Sequence, residues 1–324
     1  MKNLHAANSE ASSWQKPLRE AMVWIPGGTF TMGSDDHYAE ERPARRAAVD
    51  GFWIDPTPVT NRQFARFVAE TSYVTFAEFP PDPNDYPGAD PRMLVASSMV
   101  FTPPRVAVDL RYPAQWWAFI PGADWRHPQG PGSNLEGLDD HPVVHIAWVD
   151  ALAYAAWAGV ELPTEAEWEF AARGGLEAVE YAWGDALTPD GRYMANTWQG
   201  VFPNANSLED GWARTSPVGA YPANGHGLYD MIGNTWEWTV DWWSTPDPAA
   251  TSPRCCSAKN PRGGLEETSY AEDGLPIPRK VLKGGSHLCA PNYCRRYRPA
   301  ARHPQPIDTS ASHVGFRCVA RSRA

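Results

Sequence analysis

Apolar residues recur at helical spacing in three short runs. After Thr60, the residues Phe64, Phe67 and Val68 share one face, and Thr60-Asn-Arg-Gln63 has the form of a capping box, so a helix is predicted to start there. His141-Pro-Val-Val-His-Ile-Ala-Trp-Val-Asp150 reads as a short strand running into a second helix, with Asp150 as N-cap and Tyr154, Trp157 and Ala158 as an inward stripe. Leu162 to Gly174 holds the third, opened by a capping box from Thr164 to Glu167 and closed by Gly174 just past its last turn. Before them, Met22-Val-Trp-Ile-Pro-Gly-Gly-Thr-Phe-Thr-Met-Gly33 predicts strand, turn, strand, with Gly27-Gly28 as the turn of a hairpin, and the charged run Asp35 to Arg46 a loop.

The rest of the chain has little period. Phe79 to Gly137 is broken by Pro80-Pro81, Pro103-Pro104 and Pro121-Gly122, and its Trp116-Trp117 and Trp125 are expected to be buried among loops. A segment this long belongs to the same domain if it packs on itself or serves function. Tyr181 to Trp243 is likewise irregular, and Pro246 to Pro278 reads as an insert whose adjacent Cys255-Cys256 are structural or incidental, since neighbouring cysteines bond each other only under strain. Composition agrees: 16 Trp, 32 Pro and 26 Gly in 324 residues suit a core filled by aromatics between loops. One large domain is affordable at this length. The net charge of −10, with no basic run, argues against nucleic acid and anionic membrane as partners, and no apolar run is long enough to span a bilayer. The polar stretch 1–20 has no apolar core of a secretory signal and reads as a disordered or loosely attached tail ahead of a domain at 21–324. Five cysteines, an odd number, fit a reducing, cytoplasmic setting better than an oxidising one.

Candidate chemistry concentrates near the C-terminus. Cys289 and Cys294 are too far apart for a Cys-x-x-Cys knuckle, yet the four residues between them, Pro291 and Asn292 included, can form a turn that sets two thiols face to face. Such a pair closes a disulfide, grips one soft ion such as Cu(I), or is two surplus cysteines; Arg295, Arg296 and Arg298 would favour thiolate if close. Elsewhere Asn196 with Asp210, and Asp230 with Glu237 around Gly233-Asn234, supply oxygens for hard cations, though neither run is an EF-hand loop and Asx-turns with exposed carboxylates account for the same residues. His145, Glu165 and Glu169 read as a satisfied buried histidine and a solvated helix face.

The stretch Lys283-Gly-Gly-Ser-His-Leu-Cys289, Tyr293-Cys294-Arg-Arg-Tyr-Arg298, Ala301-Arg302 and Ser310-Ala-Ser-His-Val-Gly-Phe-Arg-Cys318 resembles the C-terminal signature of the formylglycine-generating enzymes, the sulfatase-modifying factors. His-Pro-Val-Val-His, Leu-Pro-Thr-Glu-Ala-Glu-Trp-Glu and the opening strands extend the resemblance over roughly Met22 to Arg321. Gly315-Phe-Arg317 is shared with non-catalytic relatives; the cysteine pair is the specific signal. The resemblance implies an α+β, C-type-lectin-like fold: a single compact domain with sparse secondary structure. It implies Cu(I) on Cys289 and Cys294, Ser286 in support beside an oxygen pocket, Arg298 and Arg302 around the cleft, and Trp236 as a wall for the substrate cysteine. It implies a first Ca2+ on Asn196, Thr197, Asp210 and Trp212, and a second on Asp230, Gly233, Thr235 and Glu237.

The implied reaction oxidises the cysteine of a Cys-x-Pro-x-Arg motif in an unfolded sulfatase polypeptide to Cα-formylglycine, with dioxygen and a thiol reductant. Disulfides of secreted members would need cysteines at Ala155, Ala172 and Pro299, so Cys318 lacks its usual partner, as a cytoplasmic protein would allow. Three other readings remain: a catalytically silent binding module of this fold, an iron sulfoxide synthase, and a calcium-stabilised structural protein with a Cys289–Cys294 disulfide. The second needs a helical domain with a His-x-x-x-His-x-Glu type iron site, absent from this sequence.

Overall fold

The three predicted helices form, and local chemistry explains where each begins. In α1, Asn61–Thr71, the Thr60 side chain accepts from the Gln63 N–H while Gln63 reaches back to the Thr60 N–H, and Phe64, Phe67 and Val68 are buried. In α2, Trp148–Ala158, the N-cap is Ala147 rather than Asp150. Alanine has no acceptor, and Asp150, one turn in, supplies it by taking the Ala147 N–H at 2.9 Å. The helix α3, Glu165–Ala172, opens on the Thr164–Glu167 capping box, and Gly174 follows it with φ +59°. Its Glu165 and Glu169 are buried, not solvated, and face cations from distant parts of the chain. His145 is buried and satisfied, as expected, by Ser98 and the Pro128 carbonyl.

The structure, a computed structural model, describes residues 21–177, 179–245, 257–270 and 277–321. The predicted tail at 1–20 and the pair Cys255-Cys256 lie outside the described residues. The predicted opening hairpin does not form. Strand β1, Val23–Ile25, and β2, Gly28–Met32, part into different sheets. The strand β2 pairs with β3, Arg45–Val49, whereas β1 pairs with β4, Phe52–Ile54, which also takes the C-terminal strand Val319–Arg321. The Pro26-Gly-Gly28 turn therefore hands the chain between sheets. Inside the proline-rich segment, β5, Ser97–Phe101, and β6, Trp117–Pro121, form an antiparallel hairpin that periodicity did not reveal. Two short ladders follow: β7, Gly200–Val201, with β8, Ala205–Asn206, and later β10, Ala258–Lys259, along β3.

The sheet that organises the molecule has four strands: β9, Trp236–Trp242; β11, Arg279–Lys283; β12, Arg302–Pro306; and β13, Val314–Gly315. Their order is β12-β11-β9-β13, antiparallel except for the β13–β9 pair. Lys283 lies beside both Arg302 and Glu237, and Val314 beside Trp236, so one end of the sheet gathers the end of β11 and the starts of the other three strands. Aromatic packing fills one side: Phe64, Tyr154, Trp125, Phe316 and Trp238 belong to one buried cluster. Trp168 of α3 packs with Phe30 and Phe52 in a second. The last strand, Val319–Arg321, is β14.

Candidate active site

The candidate site is the loop that leaves β11 at Lys283 and returns as β12 at Arg302. Its ends are pinned side by side by the antiparallel pairing. Gly284 and Gly285 turn the chain with φ +93° and +72°, and a β-carbon on Gly285 would stand 2.9 Å from the Arg296 carbonyl oxygen, so only glycine closes this turn. Cys289 N–H then donates to the Ser286 carbonyl at 2.9 Å, and Cys294 N–H to the Ala290 carbonyl at 2.9 Å. These successive turns bring the Cys289 and Cys294 Sγ atoms to 3.2 Å. A disulfide bond is about 2.05 Å, so the two sulfurs are not bonded to each other in this structure.

The two sulfurs differ. Cys294 Sγ accepts from the Cys289 thiol and lies 3.9 Å from the Arg296 guanidinium; the hydrogen bond first, then the cation, lowers Cys294 below the usual thiol range. Burial, reinforced by Cys294, pushes Cys289 well up. Within the pair, Cys289 is therefore biased toward thiol and Cys294 toward thiolate. Arg296 is itself fixed by Glu40, which takes its Nε–H at 3.1 Å, and by the ring of Tyr38 at 4.0 Å.

Both cysteines open on a cavity of about 320 Å³. Ser286 and Trp236 line it too; the Ser286 hydroxyl accepts from Leu288 N–H at 3.2 Å, and the Ser286 N–H points at Cys289 Sγ. Arg298 and Arg302 do not line it. Arg298 is buried against Glu41 with two charge-assisted bonds of 2.7 and 2.5 Å, and Arg302 against Glu165 at 2.9 Å. Both brace the loop from behind, and the arginine at the cleft is Arg296. The opposite wall was missed by sequence reasoning: Met99 and Trp117 come from the β5–β6 hairpin, and His303, Gln305 and His313 from β12 and the approach to β13. His303 and Gln305 alternate along β12, a period-2 signal hidden by Pro304 and Pro306.

The oxygen-bearing loops lie elsewhere. Asn196 is buried, its amide donates to the Arg214 carbonyl at 2.8 Å, and its side-chain oxygen has no partner. The Thr197 carbonyl accepts from the Gln199 amide, while the Asp210 carboxylate takes the Trp212 N–H at 3.0 Å and the Tyr221 hydroxyl at 3.2 Å. In the second loop Asp230 takes the Gly219 N–H at 2.7 Å, the Gly233 N–H donates to Gly284, and the Thr235 hydroxyl is buried without a partner. Glu237 is held by Arg317 at 2.7 and 2.8 Å and by the Trp168 indole at 2.7 Å, so a cation there would share a carboxylate already paired. Among the described residues no three His, Cys, Asp or Glu side chains converge, so each shell would rest largely on amide and main-chain oxygens.

Residues 8–322 match the sulfatase-modifying factor enzyme 1-like domain family. The formylglycine-generating enzyme of Mycobacterium tuberculosis is 53% identical over 302 residues, covering 92% of this chain and 97% of its own. That of Thermomonospora curvata is 47% identical over 312 residues, 94% of each chain. The solved structure of PvdO from Pseudomonas aeruginosa superposes with a TM-score of 0.58 at 23% identity, over 92% of this chain and 93% of that one, and supports the same C-type-lectin-like α+β fold. The chain belongs to the sulfatase-modifying factor enzyme 1-like family, and its paired thiols lie where that family's domain spans them.

Proposed function

We propose that this protein converts the cysteine of a Cys-x-Pro-x-Arg segment in an unfolded sulfatase to Cα-formylglycine, with Cys289 and Cys294 holding Cu(I) and dioxygen as oxidant. The observation that carries the reading is the unbonded Cys289–Cys294 pair, its sulfurs 3.2 Å apart and open to the cavity. Among the described residues no third His, Cys, Asp or Glu joins the two thiols to complete a metal-holding group, and a two-sulfur donor set suits a soft monovalent ion over zinc or iron. When bound, Cu(I) would supply the reactivity towards dioxygen that protein side chains lack.

The chain's own residues do the rest. Cys294, the lower of the two thiols, is the first donor, and Arg296 balances the negative charge that two thiolates would place in a half-buried cleft. Trp236 walls off the cysteine-bearing end, and the Gly284-Gly285 turn fixes where the Ser286 hydroxyl stands. Taken overall, the client thiol, dioxygen and two thiols of a reductant give the aldehyde, hydrogen sulfide, water and one disulfide. The second Ca2+ reading and the first are kept as structural sites; the unpartnered Asn196 oxygen supports the first. A cytoplasmic setting suits an open dithiol and an unpaired Cys318.

The test is to incubate reduced, copper-loaded protein with a Cys-x-Pro-x-Arg peptide and a thiol in air and capture the product with a hydrazide. Aldehyde is expected from the unaltered protein and from Cys318→Ser, and none from Cys289→Ser or Cys294→Ser. If several such peptides return unchanged, the silent binding module replaces the enzyme.

A further inference from the structure

Four histidines of the described chain have a ring nitrogen hydrogen-bonded by the protein. His145 is bonded at both, His287 to the Asn234 carbonyl, His141 to Thr215, and His127 to Asp124. His226 has a buried, unpartnered Nε2 but does not line the cavity, whereas His303 and His313 do. Neither of these two has a hydrogen-bond partner among the described residues; the Nδ1 of His313 is sealed inside without one. Each ring is seated by an indole instead, His313 on Trp117 at 4.7 Å between centroids and His303 on Trp236 at 5.6 Å. The ring nitrogens of these seated imidazoles that are not sealed keep their hydrogen-bonding capacity for something that enters the cavity.

What enters beside these two rings must match neutral groups, although Arg296 also lines the cavity. Burial keeps both imidazoles uncharged near neutrality, and the cavity lining contains no carboxylate. An uncharged amide fits these two rings, which offer neither a cation to a phosphate nor a carboxylate to an ammonium. Gln305, whose side chain also has no hydrogen-bond partner among the described residues, stands two residues beyond His303 on the same face of β12. The strand β12 is an edge of its sheet, but Pro304 and Pro306 offer no N–H, so an extended client cannot simply be added as a further strand there. Side chains must then do what a ladder would have done.

We propose that His313 and His303 are client-binding residues, which hydrogen-bond the peptide groups on either side of the reacting cysteine and so hold its sulfur over Cys289 and Cys294. This rests on the reading that the cavity receives a polypeptide cysteine, and it assigns the contact to main chain. The client's sequence is left to be read elsewhere.

The test measures binding and turnover separately. A peptide with serine in place of the reacting cysteine reports affinity by fluorescence anisotropy, and the cysteine peptide reports kcat and KM. For His313→Leu, affinity is expected to fall at least tenfold and KM to rise in step, with kcat within about twofold. His313→Gln, which keeps a polar group near Nε2, is expected to stay within about threefold of the unaltered protein. Independently of any variant, an ester at a peptide bond flanking the reacting residue should weaken binding to the unaltered protein. The same ester should cost little more in a His303→Leu, His313→Leu double variant. Equal affinity of both single leucine variants and the unaltered protein would overturn the assignment, as would an ester penalty undiminished in the double variant. If a variant does not fold, the ester series on the unaltered protein decides: no loss at either bond refutes it. If the unaltered protein converts no cysteine peptide at all, it is the enzyme reading that fails, since the anisotropy comparison stands without turnover.

Discussion

Burial without a cation changes what a carboxylate does, and Asp150 shows it. Its oxygens accept from Ala147 N–H, Phe76 N–H and the Tyr73 hydroxyl, yet burial raises its pKa to about 6. Between its ordinary value of 3.8 and about 6, the native state keeps a proton that the unfolded chain has already released. This group's contribution to stability therefore falls as pH rises through that window and is level above it, the reverse of a salt-bridged aspartate. Urea unfolding at several pH values should show the advantage of the unaltered protein over Asp150→Asn shrinking by about 2 kcal/mol from pH 4 to pH 7. A constant difference across that range would mean the carboxyl is not perturbed. Asp150→Ala, which strands three donors, is expected to cost about 2–4 kcal/mol at neutral pH.

At the scale of elements, the loop bearing the thiols is held by buried ion pairs. Glu41 grips Arg298, while Glu165 and Glu169 of α3 face Arg302, Lys283 and Arg173. Burial alone would raise the Glu169 carboxyl, but Lys283 and Arg173 outweigh it and hold it below its usual range. Removing one partner leaves a charge uncompensated in the interior. Arg298→Met should lower stability by about 3–5 kcal/mol, read as a fall in the urea midpoint, whereas Arg66→Met, on the exposed face of α1, should change it by under about 1 kcal/mol. Equal effects would contradict the brace. The legibility of these elements follows from the range of their causes. The capping boxes at Thr60 and Thr164 span four residues and were readable. Apart from Arg173, one turn beyond Glu169, the cations that pair with Glu165 and Glu169 arrive from more than a hundred residues away, so a local charge pattern suggested solvent instead. The β5–β6 hairpin was masked by the prolines around it, and with it went Met99 and Trp117 of the cavity. The cysteine pair was legible as two thiols at turn spacing; that Arg296 rather than Arg298 stands beside them depends on which side of the loop faces β12, which spacing does not encode.

Over the whole molecule, a four-stranded sheet collects the paired thiols, the Trp236 indole and two imidazoles at one end, while irregular loops carry the oxygens proposed for calcium. If those loops hold calcium, excess chelator should lower the melting temperature while leaving Cu(I) stoichiometry at the cysteines unchanged, since an ion bound only to the folded state stabilises it by mass action. An unchanged melting temperature, with no calcium found by elemental analysis, would remove both sites. The claim on which the rest depends is that Cys289 and Cys294 together seat the metal that makes this cavity an oxidising one. Its most direct measurement is aldehyde formation from a Cys-x-Pro-x-Arg peptide, in air with a thiol, as Cu(I) is added stepwise to metal-free reduced protein. The expected rate rises from zero and levels at one equivalent per chain, and stays at zero throughout for Cys294→Ser. Full activity before any copper is added, or a Cys294→Ser variant that follows the same curve, would contradict the account.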